Sequence, residues 1–138
     1  MAETLSRTIL RSLLTNESYL RKVIPFLKPN YFEGPPKVIF KQIGAFVDKH
    51  NTLPTMEAFR IDLEQDEKMS DDMFTEISAM LPEIFSPVDV DEDFLLEKTE
   101  KWCQERALHI GIMKSIDILD GKDEKMTKNA IPDILSEA

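Results

Sequence analysis

The sequence predicts an all-α fold: a compact helical bundle over residues 1–90, followed by a projecting two-helix hairpin over residues 91–138. Three observations carry that expectation. Apolar residues recur at the three- and four-residue spacing of a helix through most of the chain. Alternation of β-branched residues over four or more positions is hard to find, and four glycines are few for 138 residues. A chain of this length suits one hydrophobic core, and a second would be undersized.

The elements follow in order. Leu5, Ile9 and Leu13 predict a helix over 4–14, with Asn16 stopping it and capping the next. Tyr19, Leu20, Val23, Ile24 and Leu27 share one face of a second helix over 17–27, which Pro25 should bend or shorten. The connector from Lys28 to Pro36 is rich in proline, and its Tyr31-Phe32 pair should seat in the core. Ile39, Phe40, Ile43, Phe46 and Val47 mark a third helix over 36–48, with a proline in its first turn. Thr55 should cap a fourth helix reaching Asp66, with Ala58, Phe59 and Leu63 inward, and Ser70 should start a fifth running towards Phe85.

Residues 86–93, Ser-Pro-Val-Asp-Val-Asp-Glu-Asp, break the composition and form the best internal boundary. Beyond them a helix over 92–119 should span about 40 Å at 1.5 Å per residue. Its apolar arc changes along its length. In the first half Leu95, Leu96, Trp102, Cys103 and Ala107 cover one side, whereas Leu108, Ile110, Ile112, Met113, Ile116 and Leu119 spread over most of the circumference. Asp120-Gly121 should end it, and Ile131-Pro132-Asp133-Ile134-Leu135 should open a last helix. Two antiparallel helices alone could not bury so wide an apolar surface, so a second copy of the chain is expected to cover it. The candidate oligomer interface is Trp102, Ile110, Met113, Ile116, Ile131, Ile134 and Leu135.

Charge limits the function classes. Residues 1–50 carry eight basic and four acidic side chains, residues 51–96 two basic and thirteen acidic, and residues 97–138 seven basic and nine acidic. A domain of net charge −9 is a poor binder of DNA by itself, because phosphate contacts need clustered lysine and arginine. The bipolar layout favours oriented docking to a protein or to another copy, against the plainer reading of solvated helix faces. One cysteine, Cys103, and the lack of a secretion signal in the first residues point to the cytoplasm. No stretch approaches the roughly 20 apolar residues that span a bilayer.

Catalytic chemistry has no visible address. Asp89 to Asp93 alternate carboxylates as calcium loops do, but Phe94 stands where the turn needs glycine, so these acids are expected to stabilise a helix N-terminus instead. His50 and His109 lack metal-ligand spacing, Cys103 shares an apolar face with Trp102 and Ala107, and no glycine-rich phosphate loop is present. The methionines Met56, Met69, Met73, Met80, Met113 and Met126 fall mostly on core stripes, and Tyr31-Phe32 beside Lys28 and Lys37 reads as a core anchor rather than a nucleic-acid platform. No catalytic, cofactor or metal residue is therefore assigned.

Several segments in order resemble the N-terminal domain of the DnaB-type replicative helicases, in the version carried by T-even-like bacteriophages. They are Tyr19-Leu20-Arg21-Lys22-Val23-Ile24-Pro25-Phe26, Tyr31-Phe32-Glu33, Ile39-Phe40-Lys41-Gln42-Ile43 and Leu53-Pro54-Thr55. More specific are Thr99-Glu100-Lys101-Trp102-Cys103-Gln104-Glu105-Arg106-Ala107 and Ala130-Ile131-Pro132-Asp133-Ile134. The resemblance implies a collar of six copies built as a trimer of dimers through paired hairpins, with primase docking to it and a helicase loader as a further candidate partner. It also implies a parent enzyme that unwinds DNA 5′ to 3′ with ATP and magnesium held by a motor domain beyond Ala138, DNA being engaged only by the full ring, in the host cytoplasm. On this reading the chain ends at the linker to that domain. The alternative is a stand-alone helical adaptor, a loader or an inhibitor that mimics the collar.

Overall fold

The computed structural model describes residues 2–120, the side chains of residues 2 and 3 excepted, and among them every regular element is helical. The helices are α1 (Ala2–Thr15), α2 (Glu17–Val23), α3 (Pro35–His50), α4 (Met56–Glu64), α5 (Asp71–Ile84) and α6 (Glu92–Leu119). Short 3-10 turns lie at Ile24–Phe26 and Pro29–Tyr31. The chain divides into two compact units, Met1–Leu96 and Glu97–Ala138. The expected stop at Asp120-Gly121, the loop after it, the helix opening at Ile131 and Met126 lie, from residue 121 onward, outside the described residues.

In the first unit α1 is central. It packs against α2, α3 and α5, and Ile9, Leu10 and Leu13 are fully buried. Burial on Leu10 and Leu14 as well as on the expected Ile9 and Leu13 is what a helix with neighbours on several sides requires. The remaining core comes from one face of each neighbour: Tyr19 and Leu20 of α2, Ile39 and Ile43 of α3, Phe59 and Leu63 of α4, and Ile77, Leu81 and Ile84 of α5. Phe59 meets the ring of Phe85 edge-on at 5.7 Å. The Tyr31-Phe32 pair sits in the core as expected, and Phe32 stacks on Phe40 with ring centroids 4.9 Å apart.

The caps explain the boundaries. Asn16, Thr55 and Ser70 each accept a hydrogen bond from the amide three residues on, so all three expected caps are present. The second helix is shorter than expected. Proline lacks an N–H and its ring clashes with the preceding turn, so α2 ends at Val23 and the chain continues as a 3-10 turn containing Pro25. Leu27 is buried all the same, whereas Phe26 is 68% exposed. The helix expected to reach Asp66 ends at Glu64, and the first helix begins at Ala2 rather than at Thr4. Gly34 precedes the Pro35-Pro36 start of α3 with φ of 68°, a conformation that a β-carbon would strain. At the other end of α3 Asn51 takes the left-handed conformation at φ 55° and returns its amide to Val47 O. Pro82 lies inside α5, in its last turn.

Two groups tie the end of this unit to its beginning. Arg11 donates to Ser86 O at 3.4 Å and to Pro87 O at 2.7 Å, holding the connector before α6. Glu92, in the first turn of α6, accepts from Asn16 Nδ2 at 3.0 Å, Ser18 Oγ at 3.3 Å and Lys22 Nζ at 2.8 Å.

Candidate assembly surface

Helix α6 runs from Glu92 to Leu119 as one continuous element, as its sequence predicts. Its start is capped locally: Asp91 Oδ2 accepts from Phe94 N at 3.1 Å. Of the acidic run 89–93, Asp91 therefore serves the helix terminus, whereas Glu92 has a tertiary role that a dipole argument misses. Its carboxyl is held below the usual range by the hydrogen bonds from Lys22 and Asn16.

The buried side of α6 changes along its length. Leu95, Thr99 and Trp102 are 2–3% exposed near the start, and Gly111, Ser115 and Ile118 are buried near the end. At about 100° per residue the two buried faces point about 160° apart. That is why no single apolar stripe runs the helix's full length. Ser115 is accommodated by donating its hydroxyl to Gly111 O at 2.9 Å, one turn back.

Among the described residues of the second unit, several large apolar side chains are exposed. Leu108 is 50% exposed, Ile112 44%, Met113 46%, Ile116 43% and Leu119 59%. Leu108, Ile112, Ile116 and Leu119 fall within an arc of about 80°, with Met113 about 60° beyond it. Isolated exposed leucines are ordinary, but five large apolar residues on adjoining turns form a patch of the kind that marks an interaction site.

Of the seven expected interface residues, Met113 and Ile116 lie in this patch. Ile110 is half-buried, and Trp102 is 3% exposed with the Arg106 guanidinium 5.4 Å from its ring centre. Ile131, Ile134 and Leu135 lie outside the described residues. Leu108, Ile112 and Leu119 share the patch and were not among the seven. A helical wheel confined to residues 108–119 brings them together; one drawn over the whole helix mixes two faces.

Groups that could carry chemistry are dispersed. Among the described residues no three of His, Cys, Asp and Glu come together to hold a metal ion. Cys103 is half-buried, and burial pushes its thiol up to about 11, away from the thiolate that nucleophilic chemistry needs. Met69, Met73 and Met80 are half-buried, but Met56 is 37% exposed and Met113 lies in the apolar patch, so the methionines divide between core and surface. No described helix is long and apolar enough to cross a membrane.

The fold thus defines a class: an all-helical module that carries exposed apolar residues on its longest described helix. The chain is 34% identical over 141 residues to the DnaB-like replicative helicase of enterobacteria phage T4, an alignment that covers 94% of this chain. It spans 29% of that relative's length, consistent with an N-terminal domain. The resemblance to the DnaB-type replicative helicases read in the sequence is borne out by this relative. No protein-family model matches the chain.

Proposed function

We propose that this chain is the N-terminal collar domain of a hexameric replicative DNA helicase and that it joins subunits through α6. The observation that carries the reading is the exposed patch of Leu108, Ile112, Met113, Ile116 and Leu119, on a chain similar to a DnaB-like replicative helicase. Burying apolar area at about 25 cal/mol per Å² is the main driving force available for such association. A self-complementary patch closes a two-fold pair, and three such pairs make a ring of six. The copies around the ring would offer primase, and a helicase loader, repeated docking surfaces. The parent protein would unwind duplex DNA 5′ to 3′ with ATP and magnesium in a separate motor domain, in the cytoplasm of the host. The part described by residues 2–120 would then contribute assembly rather than catalysis.

Charging Ile116 tests the assembly step. Ile116→Asp should weaken self-association by sedimentation velocity while leaving far-ultraviolet circular dichroism unchanged. An unchanged mass distribution across tens of micromolar would remove the claim. Primase docking is tested separately, by titrating labelled primase against the assembled full-length protein; absence of binding there removes that part alone.

A further inference from the structure

Two faces of the first unit carry opposite charge around an exposed apolar side chain. The first surrounds Phe26, which at 68% is the most exposed large apolar residue among those described. Leu27 and Lys28 have extended backbone, so side chains alternate there: Leu27 turns into the core and leaves Phe26 and Lys28 outside. The connector beyond packs on α3, where Lys37 and Lys41, one turn apart, share a face. The ammonium groups of Lys28, Lys37 and Lys41 make no hydrogen bond or ion pair, whereas Arg21 and Lys22 of α2 are engaged by Glu17 and Glu92. Glu33 is the one acid among residues 26–41.

The second face lies on α4 and the turn after it. Glu57, Ile61 and Glu64 fall within an arc of about 60° and are all exposed, Ile61 at 46%. Seven acids between residues 57 and 72 stand against Arg60 and Lys68, and none of the seven makes an ion pair. Within one chain the two faces belong to different elements: α4 packs on α5, whereas the turns after α2 pack on α2 and on α3. Neither face suits its own copy on a second molecule, since lysine would meet lysine and carboxylate would meet carboxylate.

We propose that the Phe26 face of one copy docks on the Ile61 face of the next, with Lys28, Lys37 and Lys41 set against Glu57 and Glu64. Such a contact is heterologous, so it passes from copy to copy and either closes a ring or runs on, whereas a two-fold patch stops at two. Phe26 and Ile61 supply the apolar centre and the charges fix the orientation. At about 0.1 M salt the Debye length is about 10 Å, so the net charge of −9 repels weakly between domains while facing side chains still attract. The contact stands without the α6 pairing proposed above; only its use in joining such pairs into a ring of six rests on that reading.

The test mixes two variants of the full 138-residue chain, both in an Ile116→Asp background that disables the α6 patch. One carries Phe26→Asp with Lys28→Glu and keeps only the acidic face; the other carries Ile61→Lys with Glu64→Lys and keeps only the basic face. By sedimentation equilibrium the Ile116→Asp chain should gain mass steadily with concentration, and each variant alone should associate at least about tenfold more weakly. Their mixture should form a one-to-one pair and stop there, because one good contact remains between them. A mixture no tighter than either variant alone overturns the proposal, as does an Ile116→Asp chain that stays monomeric at several hundred micromolar, which would leave the acidic face to a basic partner of another kind. Should the Phe26 variant fail to fold by circular dichroism, Lys28→Glu with Lys41→Glu takes its place. Helix α6 is the same in all three proteins, so any association through it appears as a shared baseline and its failure leaves this result intact.

Discussion

Asn16 serves two helices at once: its Oδ1 accepts from Tyr19 N at 3.1 Å to cap α2, while its Nδ2 donates to Glu92 Oε1 at 3.0 Å in α6. Aspartate is ordinarily as good a cap as asparagine, but here it would set a second carboxylate against Glu92. Asn16→Asp should therefore be destabilising by denaturant melts, by about as much as Asn16→Ala, for which loss of the cap alone costs about 1 kcal/mol. An Asn16→Asp protein as stable as the parent would show that the Glu92 bond contributes nothing.

The Lys22–Glu92 pair gives a signed pH dependence. The Glu92 carboxyl is lowered by its hydrogen bonds from Lys22 and Asn16, so its contribution is present above the unfolded value near 4.5 and is lost as pH falls through the folded value. Lys22 is raised by its hydrogen bond to Glu92, so its contribution is present below 10.5 and is lost as pH rises through the folded value. The stability difference between the parent and Lys22→Met should be flat across neutral pH and shrink at both ends. Exposure and salt screening keep it small, and it should shrink further in 1 M salt.

Much of this fold is legible in the sequence because its signals are local. Asn16, Thr55 and Ser70 announce helix starts through side-chain chemistry that needs only the next three residues. The limits of α6 were readable for the same reason, with acids at its start and glycine after its end. Glu92 was not legible, since its partners lie 70 to 76 residues earlier and no periodicity links them. The exposed apolar patch was half legible: Met113 and Ile116 stand out as surplus apolar residues, but which side of α6 is exposed depends on a change of buried face that only three-dimensional packing produces.

Arg11 makes a second long-range tie that composition hides. Its guanidinium bonds the carbonyls of Ser86 and Pro87, two acceptors in a connector that has few other bonds. Arg11→Met keeps the apolar stem and removes the donors, at an expected cost of about 1–3 kcal/mol. Limited proteolysis should then cut between residues 86 and 91 faster than in the parent, with cleavage elsewhere little changed. Equal cutting rates would mean that the connector is held by other means.

Ile112 and Ile118 separate surface association from folding within one helix. Ile112 is 44% exposed and Ile118 is 5% exposed, although they are six residues apart on α6. A carboxylate at position 112 stays in contact with water, so Ile112→Asp should change the thermal midpoint by little, at a cost of about 0.5 kcal/mol from helix propensity. It should nevertheless shift self-association towards monomer, because pairing would bury a charge against apolar neighbours. At position 118 the same change buries an unpaired charge inside one chain, so Ile118→Asp should destabilise the second unit by about 3 kcal/mol or more at any protein concentration. The two variants thus differ in whether their effect depends on concentration. If Ile112→Asp lowered the midpoint as much as Ile118→Asp in dilute solution, the exposed face would belong to the fold of one chain, and the patch would have no surplus left for a second.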